Sequence, residues 1–156
     1  MQPKFAPREI FEQILEWAVI PTFDLVIEYG DQGLIMVRRK IEPYSNVWAF
    51  PGLRMYKGEE IHDTIKRIAK QELGLEIDPL SIVFLGQYVG KFKTEHERQD
   101  LSTGYFLRVS ETLPITLNQD HFSTYIITKV IPSPIGAMYR FYFERYLKMK
   151  SQKLLE

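Results

Sequence analysis

Near the start of the chain, Ile10, Phe11, Ile14, Leu15 and Ala18 recur at helical spacing behind Pro7, and Pro21 closes the segment. A helix is expected there, with proline suited to its first turn. From residue 23 the periodicity changes. Residues 23–29 and 34–39 read as two strands, joined by the turn Gly30, Asp31, Gln32, Gly33. Turn formers at 42–46 lead into an apolar run at 47–52. A second helix follows and is expected to stop at Gly74. Residues 81–88 and 101–109 read as further strands around a charged segment at 91–100, and a short strand is expected at 125–128. Pro134 is expected to open a last helix carrying Met138, Phe141, Tyr142, Arg145 and Tyr146, with a solvated tail at 148–153. Strands and helices interleave without strict alternation. That predicts an α/β (α+β) chain with a mixed sheet sandwiched between helices, in a single domain spanning 1–156.

The second helix carries an anomaly. At about 100° per residue, and taking Ile61 as zero, Ile65 falls near +40°, Ile68 near −20° and Glu72 near +20°. Glu72 therefore stands in the middle of the apolar stripe. A salt bridge or a rim position would explain it blandly. A divalent cation with oxygen ligands is the alternative, since a buried carboxylate needs a compensating partner.

Composition narrows the chemistry. The 20 Lys and Arg balance the 20 Asp and Glu, so no basic footprint for nucleic acid is expected. With no cysteine, thiol catalysis and thiolate metal sites are excluded. No apolar run approaches the roughly 20 residues that span a bilayer, and no signal-peptide core opens the chain. A cytoplasmic protein without membrane contact is expected.

Phe50, Pro51, Gly52, Arg54, Gly58 and Glu59, followed by Arg67, Glu72, Gly74 and Leu75, resemble the loop-helix-loop signature of the Nudix hydrolases, here at 52–75. Leu53, Ile68 and Gln71 depart from it: the first replaces a glycine, the other two replace glutamates that usually hold metals. One subfamily shows the same losses. Between residues 24 and 74 the chain resembles the GDP-mannose mannosyl hydrolases without a gap. That resemblance implies a single Mg²⁺, with Mn²⁺ as an alternative, held by the Gly52 carbonyl, Glu72 and Asp120. It implies His121 as general base and Asp24 as an assisting carboxylate, with Arg39, Arg54 and Tyr105 on the diphosphate.

Each of these residues also has a plainer reading. His121 could be a surface loop histidine, Arg39 and Arg54 solvated strand ends, Asp24 an edge residue and Tyr105 core. One subfamily histidine is absent at Gly90, and His96 lies nearby as a candidate substitute. Arg67 and Glu59 are expected to hold the loop, and His62 is assigned no role. The N-terminal extension, 1–20, carries Phe11, Leu15 and Trp17 and is expected either to cover the sheet or to join a homodimer interface. The resemblance implies hydrolysis of a nucleoside diphosphate sugar by attack of water on the anomeric carbon. Attack on phosphorus in a nucleoside diphosphate-X substrate and a non-catalytic nucleotide-binding module remain alternatives.

Overall fold

The computed structural model describes residues 1–42 and 45–156. The turn expected at 42–46 falls partly outside them, at Pro43 and Tyr44. Along the chain run α1 (Arg8–Trp17), β1 (Ile20–Tyr29), β2 (Leu34–Arg39), β3 (Trp48–Ala49), β4 (Gly52–Arg54), α2 (Ile61–Leu73), a 3-10 turn (Pro79–Ser81), β5 (Val83–Lys91), β6 (Gln99–Val109), β7 (Phe122–Thr128) and α3 (Ala137–Ser151). The sheet is mixed, as expected, in the order β3-β2-β1-β6-β5, with β4 also on β1 and β7 also on β2. Only the β1–β6 pairing is parallel among those of the described strands.

One edge of β1 is shared. Near its end Glu28 pairs with Leu34 of β2, whereas Thr22, Phe23 and Asp24 pair with β4. This split sets Asp24, the end of β2 and the start of β4 around a common opening. Successive side chains of a strand point to opposite faces. Asp24 and Glu28 reach toward α3 through Ser102, Tyr142, Tyr146 and Lys150, while Phe23 meets Tyr105 on the other face.

α2 forms where its periodicity predicts. The backbone N–H of Glu60 donates to Asp63 at 2.9 Å, which satisfies its start. At the other end Gly74 adopts φ 66°, a left-handed conformation that favours glycine. Thr64, Ile65, Ile68, Ala69, Glu72 and Leu73 are buried, and each buried aliphatic side chain contributes about 1.5–3 kcal/mol. Ile61, the first residue of the stripe, stays largely exposed.

Several boundaries differ from the expected ones. Asp78 accepts the N–H of Leu80 at 3.0 Å and fixes a turn at Pro79, so β5 starts two residues late and runs on to Lys91. The charged segment shrinks to a hairpin tip. Pro134 precedes α3 rather than entering its first turn. The tail is not wholly solvated, because Lys150 binds Glu28 and Leu155 is buried. No residue of α1 is buried, and Trp17 is 85% exposed. No described helix is long and apolar enough to cross a membrane.

Candidate functional site

The loop from β4 to α2 is held by one ion pair. Arg67 donates from Nε and Nη2 to the two carboxylate oxygens of Glu59, at 2.7 and 2.9 Å, and from Nη2 to the Arg54 carbonyl at 2.7 Å. Its guanidinium lies 3.8 Å from the Tyr56 ring centroid. Glu59 also accepts the Tyr56 N–H at 2.7 Å. Burial raises the Glu59 pKa, but the Arg67 and Tyr56 hydrogen bonds outweigh it and leave the carboxylate below its ordinary value. Such two-pronged charge-assisted pairing fixes geometry as well as charge. Both residues therefore position the loop, as expected from the sequence.

At the far end of α2, Glu72 has no solvent exposure. The orphan carbonyls there are capped by the loop before β7: Thr116 N–H donates to Leu73 and Asn118 N–H to Glu72, at 2.8 and 3.0 Å. That capping brings His121 over the carboxylate, with Nδ1 at 2.9 and 3.0 Å from its two oxygens. Asn118 Nδ2 adds a 3.4 Å contact. Burial pushes the Glu72 pKa up, opposed by His121. A neutral imidazole that donates from Nδ1 presents a bare Nε2, so the pair fixes the tautomer a general base requires.

The opposite wall is β1 and β6. Asp24 is buried, and burial drives its pKa up to about 7, opposed by the Ser102 hydrogen bond and by Arg39 and reinforced by Asp100. Ser102 Oγ donates to Asp24 at 2.5 Å and lies 2.8 Å from the Tyr142 hydroxyl. Asp100 accepts from Arg98 Nε at 2.7 Å. A side chain on Gly52 would collide with the Asp24 carboxylate and the Phe23 carbonyl, so this close approach requires glycine. Arg54 stacks on α1, its guanidinium 3.6 Å from the Phe11 ring centroid.

Asp24, Arg39, Gly52, Arg54, Glu72 and His121, six of the eight residues singled out from the sequence, line one cavity of about 210 Å³. Tyr105 does not line it: its ring packs on Phe23, centroids 5.5 Å apart, on the sheet face opposite Asp24. Asp120 is exposed beside His121, its N–H held by Asn118 at 3.1 Å, and does not line the cavity either. His96 pairs with Glu16 of α1 at 3.1 Å, away from the cavity wall. Asp100, Ser102, Arg98, Phe92, Asn118 and Phe11 belong to the site or its support and carry no motif. Asp100, Ser102 and Gly104 alternate along β6, a strand that also carries Gln99, Thr103 and Arg108, so polarity alone does not single them out.

Among the described residues, no three His, Asp or Glu side chains cluster as a metal site. Ile68 is core, and Gln71 is exposed beside Arg67. Of the donors the resemblance implies, Glu72 and Gly52 line the cavity and Asp120 does not. Leu25 N–H bonds to Pro51 and Met55 N–H to Pro21, so alternation along the ladder turns the Gly52 and Arg54 backbone groups away from β1. The Arg54 carbonyl there meets Arg67 of α2. One carboxylate with spare lone pairs and one carbonyl fit a Mg²⁺-like cation that keeps waters and substrate phosphates as its other ligands.

Comparison with known proteins bears on the family and the fold. The chain is 25% identical over 147 residues to the low-salt glycan biosynthesis protein Agl8 of Haloferax volcanii, covering 90% of this chain and 88% of that one. In structure it is similar to a MutT NUDIX hydrolase from Burkholderia pseudomallei, with TM-score 0.70, 16% identity, and 81% and 96% of the two chains covered. It is equally similar to the NUDIX domain of Shewanella oneidensis NrtR complexed with ADP ribose, with TM-score 0.70, 16% identity, and 93% and 94% covered. The family profile of the NUDIX domain matches residues 20–130, which embrace the sheet from β1 to β7, the loop-helix-loop and every cavity residue except those of α1 and α3; the chain belongs to the Nudix hydrolase family.

Proposed function

We propose that the chain hydrolyses a nucleoside diphosphate sugar at the glycosyl C–O bond, in the manner of the GDP-mannose mannosyl hydrolases. The observation that carries this reading is the Glu72–His121 pair. A helix that has lost two family carboxylates keeps one, fully buried, and uses it to aim an imidazole into the cavity.

His121 Nε2 takes a proton from water as the oxygen attacks the anomeric carbon. The bond from that carbon to the phosphate oxygen breaks, and its electron pair leaves on the nucleoside diphosphate. The imidazolium formed at His121 faces the Glu72 carboxylate, which stabilises it. Arg39 and Arg54 neutralise the departing diphosphate. A divalent cation, Mg²⁺ or Mn²⁺, held by Glu72 and the Gly52 carbonyl would add Lewis-acid stabilisation of the same oxygens. Asp24 assists from the opposite wall.

Two relatives support the substrate class. Agl8 is a glycan biosynthesis protein by name, and the ligand in the NrtR structure joins a nucleoside diphosphate to ribose. Apolar residues left exposed on and after α1, including Ile10, Trp17 and Val19, support the expected homodimer. The deciding experiment incubates the protein with GDP-mannose and Mg²⁺ in ¹⁸O-water. GDP with label in free mannose is the expected result. GMP with mannose 1-phosphate would establish attack on phosphorus instead, and absence of turnover across a panel of nucleotide sugars, with intact binding, would favour a sensor.

A further inference from the structure

Two buried hydroxyls stand behind the cavity wall, outside the proposed mechanism. Ser102 and Tyr142 have no solvent exposure, and neither lines the cavity. Yet Ser102 Oγ lies 2.5 Å from Asp24 Oδ2 and 2.8 Å from the Tyr142 hydroxyl. The three groups form a line that starts on α3, passes through β6 and ends at the cavity wall on β1.

The strands make room for that line. β6 runs parallel to β1, with Ser102 against Thr22 and Gly104 against Asp24, so Ser102 and Gly104 share one face of β6. A Cβ on Gly104 would lie 2.4 Å from Cε1 and 2.7 Å from Cδ1 of the Tyr142 ring. The missing side chain at 104 is thus what lets the ring come close enough for its hydroxyl to reach Ser102.

Proton counting sets the direction of the line. A serine hydroxyl carries one proton and accepts through its lone pairs. Among the described residues, Ser102 is the one hydrogen-bond partner of the Tyr142 hydroxyl, and a buried donor left unmatched is costly. Burial and the nearby Asp24 carboxylate raise the Tyr142 pKa, so the phenol keeps its proton. Tyr142 therefore donates to Ser102, and Ser102 gives its single proton to Asp24. Run the other way, the line would end on a tyrosine proton with no acceptor.

The carboxylate that results is asymmetric. Oδ2 is tied back into the fold. Oδ1 is the oxygen beside Gly52, 2.3 Å from where a Cβ of that residue would stand. The terminal torsion of an aspartate is broad when unrestrained. The Ser102 hydrogen bond is what selects the oxygen that fronts Gly52.

We infer that Ser102 and Tyr142 are positioning residues: they hold Oδ2 of Asp24 from behind and so fix Oδ1 toward the substrate beside Gly52. The inference rests on the proposed reaction and adds the α3 layer of the fold to its machinery. Positive charge develops on the sugar as the bond to the departing diphosphate breaks. A carboxylate already aimed stabilises that charge without reorganising. Before the bond breaks it faces a neutral sugar, so the benefit belongs to kcat and not to KM.

Steady-state kinetics on the nucleotide sugar, well below the thermal midpoint of each variant, test this. Ser102→Ala is expected to lower kcat about tenfold, less than the roughly 10²-fold that a 1 Å misplacement can cost, with KM nearly unchanged. Tyr142→Phe removes one oxygen and leaves the ring in its seat; it should lower kcat less, and again without raising KM. In an Asp24→Asn background, where no carboxylate is left to aim, Ser102→Ala should cost nothing further. Tyr146→Phe is the control. One turn along α3, it removes the same kind of buried hydroxyl from Glu28 and should lower the midpoint while leaving kcat unchanged. A rise in KM with kcat retained, a full further loss in the Asp24→Asn background, or an equal kcat loss in Tyr146→Phe would overturn the inference. Where Ser102→Ala fails to fold, the contrast between Tyr142→Phe and Tyr146→Phe still decides it. Release of GMP with the same pattern of losses would refute the proposed reaction and leave the positioning of Asp24 standing. Absence of turnover by the unaltered protein would overturn both together.

Discussion

Asp24 and Glu28 lie four residues apart on β1, on the same face and almost equally buried, yet their surroundings are opposite. Glu28 is matched on every side. Lys150 and Arg108 donate to it at 2.7 Å each, and the Tyr146 hydroxyl donates to it as well. Burial raises its pKa, and those three partners together bring it below the ordinary value. Asp24 has the Ser102 hydroxyl, the field of Arg39 and a second carboxylate, Asp100, and burial wins. One carboxylate is compensated from within the fold. The other is left for something the fold does not supply. Strained electrostatics of this kind mark functional sites more often than structural ones.

The contrast breaks first at the catalytic wall. His121→Ala is expected to lower kcat by about 10²–10⁴-fold, the range for loss of a general base, and to lower the thermal midpoint modestly, because the buried Glu72 carboxylate loses its main hydrogen-bond partner. Steady-state kinetics on the nucleotide sugar identified by product analysis would show it, and undiminished kcat would remove His121 from the mechanism. At the compensated end the effect should be reversed. Glu28→Gln leaves two cations and a tyrosine without their common anion and is expected to lower stability by about 1–3 kcal/mol, with activity per folded molecule retained. Because Arg108 and Lys150 are half exposed, water recovers part of what a deeper pair would lose. For a chain of this length the midpoint should fall by roughly 2–12 °C.

The pH dependence follows from the same residue. A carboxylate whose folded pKa is depressed contributes stability above its ordinary value of 4.5 and loses it as pH falls through the folded value. The midpoint difference between wild type and Glu28→Gln should be full at pH 7 and shrink below about pH 4.5. A difference that stayed constant down to pH 3 would show that Glu28 acts by packing and not by charge.

How much of this was legible depended on sequence distance. α2, its stop at Gly74 and the misplaced Glu72 could all be read, because helical periodicity is local. Six of the eight site residues came with the loop-helix-loop, its flanking strands and the resemblance they carry. Asp100 and Ser102 could not be reached that way. They face Asp24 through the parallel β1–β6 register, which pairs Asp24 with Gly104, and no local pattern encodes a register so distant. Tyr105 is one residue out of phase with that face, so an aligned position placed it on the wrong side of the sheet. Lys150 looked like part of a solvated tail because its partner, Glu28, lies at the other end of the chain.

The smallest expected effect tests the comparison most directly. Asp24→Asn keeps the shape and leaves an amide oxygen to accept the Ser102 hydroxyl, while removing a charge that burial disfavours. In metal-free protein near neutral pH the substitution should raise the thermal midpoint by about 2–4 °C, equivalent to roughly 1 kcal/mol, although it lowers turnover. The opposite sign from Glu28→Gln is the point: a buried carboxylate kept for chemistry destabilises the fold that holds it, and neutralising it relieves that burden. Differential scanning of the two variants at the same pH measures both signs at once. If Asp24→Asn lowered the midpoint as Glu28→Gln does, Asp24 would be a structural anion whose partner is Arg39, and the opposition drawn along β1 would fail.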